Sequence, residues 1–224
     1  MKDNLLLKLK NAPSVTIGLI LINAVVFVLV ELGGSSAYGG YHMYRWGAML
    51  TSAVSERHEY WRLFTSIFLH FGIEHLAGNM LVLFALGSNL EHGIGHLRFG
   101  VIYLLSGVGA NVFSQLWNLK GEEEILSAGA SGAVFGIMGA MVFAGLFAKE
   151  WIGSLSPLQV VLMLALSLYH GVNEAVDDTA HLSGLAIGFL LAILLLKVFP
   201  GSRSRKKLPS KDPSDNDDYY FTLS

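Results

Sequence analysis

The uncharged stretch SAGASGAVFGIMGA, residues 127–140, carries Ser131 between Ala130 and Gly132. A serine hydroxyl is a weak nucleophile until a neighbouring base takes its proton. His181, in AHLSGLAIG at 180–188, can be that base. A third stretch, HFGIEHLAGN at 70–79, ends in Asn79, whose side-chain amide could donate to a developing oxyanion. His75 stands four residues before Asn79, on the same face of any helix that holds both. A helix beginning at Ser131 would add backbone N–H groups and the positive end of its dipole. Together these residue types suit acyl transfer through a serine–histidine pair.

Each residue also has a plainer use. Serine in a Gly/Ala-rich apolar run commonly serves interhelical packing, and a buried histidine commonly satisfies a hydrogen bond. His70 could cap the loop before its helix, Asp177, Asp178 and Thr179 read as N-cap residues, and Glu91 reads as structural. Gly132, Gly136 and Ala140, with Gly184 and Gly188, have the spacing of close helix contact. That packing favours the chemistry, because it draws Ser131 towards His181. The spacing H-x-x-x-E-H in HFGIEH is one residue longer than the inverted zinc motif H-x-x-E-H, so no metal site is expected. Ala133 breaks the hydrolase pattern G-x-S-x-G, and the absence of cysteine excludes thiol catalysis. No feature calls for a cofactor.

The elements that must hold these residues are apolar. The chain is 53% hydrophobic and 14% charged, against about 25% charged in soluble domains. Its few scattered basic residues make no nucleic-acid surface. Six apolar runs, at 12–30, 71–90, 99–117, 128–148, 151–169 and 180–199, are near the roughly 20 residues of a bilayer crossing. Each should be helical, since hydrocarbon offers the backbone no other partners. The first reads as an uncleaved anchor rather than a signal peptide. Residues 1–11 read as a short N-terminal segment, 31–70 as a long outer connection, partly helical and half-embedded, and 200–224 as a disordered tail. Six spans put both termini on one side. Eleven of the fifteen Lys and Arg residues fall on that side, which makes it cytoplasmic. On this topology spans two, four and six all enter from outside. His75 and Asn79, Ser131, and His181 then lie at one depth, a few Å below the outer boundary. Hydropathy does not require that coincidence, and polar groups within a membrane are costly unless they serve a function.

These residues resemble the rhomboid family of intramembrane serine proteases. GASG at 129–132 matches the family's G-x-S-G, AHLSGLAIG its A-H-x-x-G-x-x-x-G, and HFGIEHLAGN its H-x-x-x-x-H-x-x-x-N. Trp61–Arg62 matches a signature of the first loop, and the motifs come in the family's order over about residues 13–199. The resemblance implies an all-α, six-transmembrane-helix bundle in its minimal form. It implies Ser131 as nucleophile and His181 as base, with Asn79, His75 and the Ser131 N–H as the oxyanion hole. Gly129, Gly132, Phe135, Gly184, Gly188 and His70 would support the site. Many members carry tyrosine where this chain has Phe135, packed on the histidine; the ring is kept and the hydroxyl lost. The implied activity is cleavage of transmembrane substrates within the bilayer near its outer face, with span five and its following loop gating entry. The rival within the family is an inactive binding or quality-control protein, which should lack Ser131 or His181. A transporter would need polar groups continuing inward, and spans four to six offer almost none. Substrate and oligomeric state are not written in the sequence.

Overall fold

In the computed structural model, residues 12–34, 37, 39–119, 124–147, 155–156, 158–159, 162 and 177–198 are described. The fifth apolar run, the 200–224 tail and residues 1–11 lie outside them, apart from a few positions of the fifth. The elements run α1 (Ser14–Leu32), α2 (Gly40–Arg45), β1 (Met49–Leu50), α3 (Thr51–Ser55), α4 (Arg62–Thr65), α5 (Gly72–Val82), α6 (Ser88–Ile94), α7 (His96–Asn118), β2 (Leu126–Ser127), α8 (Ser131–Phe147) and α9 (Asp178–Ala192). A π-helical turn at Leu83–Gly87 joins α5 to α6, and another continues α9 over Ile193–Val198.

The helices follow from the apolar runs. α1, α7 and residues 178–195 are each long and apolar enough to cross a membrane; Arg62–Phe68 followed by Gly72–Ile94 meets the test only as a pair, bent by 88°. α1 keeps Leu21, Val25, Val28 and Leu29 exposed. So continuous an apolar face suits lipid rather than water. The start of α1 is closed from another helix. The buried Glu91 carboxylate accepts from the Val15 N–H at 2.9 Å, the Thr16 N–H at 2.7 Å and the Thr16 hydroxyl at 2.6 Å. That is the structural role its sequence context suggests.

α8 is the centre of the bundle. Nearly every side chain from Gly132 to Gly145 is buried, as befits a helix apolar on all sides. α7 and α9 pack on it and on each other. The contacts are close because they are built from small residues. A methyl group at Gly184 would strike the Gly132 carbonyl, and one at Gly188 the Gly136 carbonyl. Another at Gly132 would come 2.8 Å from Ala110 Cβ on α7. In lipid such van der Waals contact holds helices together without a hydrophobic driving force.

From residue 39 to residue 70 the connection is folded into short helices and turns. Arg62 is its buried post. Its guanidinium donates to the Tyr44 carbonyl at 2.6 Å, to the Ala48 carbonyl at 3.0 Å and to the Glu59 carboxylate, and lies 4.0 Å from the Tyr44 ring centroid. β1 pairs antiparallel with β2, Met49 opposite Ser127 and Leu50 opposite Leu126. The loop is thereby tied to the segment that leads into Ser131.

Candidate active site

α8 begins at Ser131, three residues inside the apolar run 128–148, because Ala128–Ala130 are not helical. Gly129 sits at φ +147°, and a Cβ there would come 2.8 Å from His75 Cε1, 3.0 Å from His75 Nε2 and 3.5 Å from Ser131 Oγ. Only glycine fits, on both counts. The hollow it leaves is shared by the serine hydroxyl and the His75 ring. Two hydrogen bonds hold this approach: the Gly129 N–H donates to the Ser66 carbonyl at 3.0 Å, and the Ala130 N–H to His70 Nε2 at 3.4 Å.

His70 therefore supports the strand-like approach to the serine, not merely the loop before α5. Accepting at Nε2 places its proton on Nδ1. A ring that accepts at Nε2 is neutral, since both nitrogens of a protonated imidazole are donors. The His75 ring stands edge-on to it, centroids 5.1 Å apart. One turn on, Asn79 is buried and donates one amide hydrogen to the His75 carbonyl at 3.0 Å. Its second amide hydrogen has no acceptor among the described residues.

His181 lies in the first turn of α9 and is 4% exposed. Phe135, one turn beyond Ser131 on α8, stacks flat on its imidazole, with centroids 4.3 Å apart and planes 10° apart. Gly132 and Gly184 let these first turns approach, and Gly188 continues the contact inward. Among the described residues neither ring nitrogen of His181 has a hydrogen-bond partner, so no Ser131–His181 hydrogen bond is formed. Free enzymes commonly hold such pairs loosely until substrate binds. Among the described residues no group of three or more His, Cys, Asp or Glu side chains could hold a metal ion.

The third apolar run contributes more than its sequence suggests. Asn111 donates to the Leu63 carbonyl at 2.8 Å and to Ser66 Oγ at 3.0 Å, and Gln115 to the Thr51 carbonyl at 2.9 Å. Ser114 donates to the Asp177 carboxylate. Asn111 and Gln115 stand out in sequence as intramembrane polar residues. Their shared task is signalled only by Asn111, Ser114 and Asn118 falling at helical spacing on one face.

A bundle centred on an apolar helix, with a serine at its start and a histidine packed beside it, defines a polytopic helical membrane protein of the rhomboid type. The Rhomboid domain model matches residues 57–198, and the chain belongs to the rhomboid family. It is similar to RHOMBOID-like protein 1 of Arabidopsis thaliana, 40% identical over 67% of this chain and 38% of that protein. It is 32% identical to Rhomboid protease GluP of Bacillus subtilis over 82% of this chain and 35% of that one. With Putative rhomboid protease YdcA of the same bacterium it shares 36% identity over 62% of this chain and 69% of that protein. The chain thus spans well under half the length of the first two relatives.

Proposed function

We propose that this protein is an intramembrane serine endopeptidase that cleaves transmembrane proteins near the outer face of the membrane. The observation that carries the reading is the stack of Phe135 on His181, which holds an imidazole whose nitrogens have no partner among the described residues beside the turn that begins at Ser131. His181 takes the Ser131 proton as Oγ attacks the scissile carbonyl. The oxyanion that forms is held by the Ser131 N–H, His75 and the second amide hydrogen of Asn79. His181 returns the proton to the departing amine, and water then releases the acyl group by the reverse sequence. The names of GluP and YdcA support a protease reading. The presence of both Ser131 and His181 supports an active enzyme over an inactive homologue. The Lys and Arg distribution supports cytoplasmic termini and a site opening outward.

The test is cleavage of a single-span substrate by the purified protein in lipid vesicles. Ser131→Ala and His181→Ala should each abolish product, and the double variant should be no worse than either, because the two act as a unit. Clear cleavage by Ser131→Ala contradicts the mechanism.

A further inference from the structure

We propose that Asp177 and Ser114 form a positioning pair that fixes the orientation of His181; this rests on the reading of His181 as the base. His181 is the fourth residue of its helix, so its direction depends on where and how α9 begins. Asp177 sets that beginning. As N-cap its Oδ1 accepts from the Ala180 N–H at 2.9 Å, and its backbone carbonyl accepts from the His181 N–H at 3.1 Å. Its second carboxylate oxygen accepts from the hydroxyl of Ser114, which is fully buried on α7. Asn118, one turn along α7, donates to the same hydroxyl at 3.1 Å. The cap of α9 is thus fastened to a different helix, and the fastening lies one helical turn from His181.

This arrangement does two things that an ordinary cap does not. It fixes the rotation of α9 about its axis relative to α7, which anchors the loop under Ser131 through Asn111 and Ser66. It also places a carboxylate at the positive end of α9 without a hydrogen bond to His181, whose nitrogens have no partner among the described residues and are open to the serine and the leaving amine. Asp177 is therefore a positioning residue and not the third member of a triad. The neighbouring Asp178 is exposed and has no part in the link.

The experiment compares Asp177→Ala, Asp177→Asn, Ser114→Ala and the Asp177→Ala/Ser114→Ala double variant in lipid vesicles, well below each measured Tm. Loss of orientation should lower kcat of Asp177→Ala about 10–100-fold with KM unchanged, the scale of a small misplacement of a catalytic group. Asn keeps the N-cap acceptor and can donate its amide N–H to the Ser114 oxygen, so Asp177→Asn should recover most of that loss. The double variant should be no slower than Asp177→Ala alone, because both substitutions break one link. A kcat for Asp177→Ala within about twofold of wild type, or no recovery with Asn, overturns the proposal. Should Asp177→Ala fail to fold, Ser114→Ala decides it: a lower kcat at unchanged KM supports the link, and an unchanged kcat overturns it. Wild-type cleavage that Ser131→Ala abolishes is established first. If that fails, the dyad reading and this proposal fall together; if it holds and the Asp177 and Ser114 variants are normal, only the positioning role falls.

Discussion

Phe135 lies flat against His181, centroids 4.3 Å apart, and so opposes rotation of the imidazole about its Cβ–Cγ bond. The tyrosine hydroxyl common in the family at this position is not needed for that restraint. Aromatic pairs of this kind contribute about 0.5–1.5 kcal/mol beyond the area they bury.

Phe135→Ala should therefore free the ring and lower kcat by roughly 10–100-fold, whereas Phe135→Tyr keeps the plate and should stay near the wild-type rate. Steady-state kinetics on one vesicle-embedded substrate check both. Equal rates for Phe135→Ala and wild type would remove the stack from the mechanism.

Backbone contact between α8 and α9 makes a second prediction. A methyl at Gly188 meets the carbonyl of Gly136, and neither group is a flexible side chain that can swing aside. Gly188→Ala should lower Tm by roughly 5–10 °C, the scale of overpacking in a chain of this size. Among the described residues nothing lies within 4 Å of such a methyl at Gly18 on α1, so Gly18→Ala should leave Tm unchanged or raise it, since Ala is favoured by about 1 kcal/mol in a helix. Thermal melts in one detergent compare the pair; similar shifts for both would mean that the α8–α9 contact is not the tight one.

Asn79 and His75 make a third. Asn79 already spends one amide hydrogen on the His75 carbonyl, so its contribution comes from the other. Asn79→Ala should lower kcat by about 10–1000-fold, the upper end matching a removed oxyanion donor and the lower end compensation by His75 and the Ser131 N–H. An unchanged kcat in both Asn79→Ala and His75→Ala would take α5 out of the site.

Much of this architecture is legible from residue order. Hydropathy locates α1, α7 and α9 within a few residues, because lipid demands an internally bonded helix wherever the chain is apolar for long enough. Ser131, His181, His75 and Asn79 are legible as polar residues in places that penalise them. Boundaries are less so. The run at 128–148 includes Ala128–Ala130, apolar yet not helical, because Gly129 must take a positive φ to pass His75. The π turn at Leu83–Gly87 and the two-residue pairing of β1 with β2 carry no periodic pattern at all. The link from Ser114 to Asp177 joins positions 63 residues apart, and single residues at that separation leave no spacing signal. His70 was legible as a cap but not as the acceptor for Ala130, which depends on how the loop folds back under Ser131.

The central claim is that His181 activates Ser131, and one measurement addresses it directly. The protein in lipid vesicles is treated with a fluorophosphonate, which labels only an activated serine, and the modified residue is mapped by mass spectrometry. If His181 activates Ser131, label falls on Ser131 in the wild type and is lost in His181→Ala at unchanged Tm. Label on any other serine, or Ser131 labelled equally fast without His181, would contradict it.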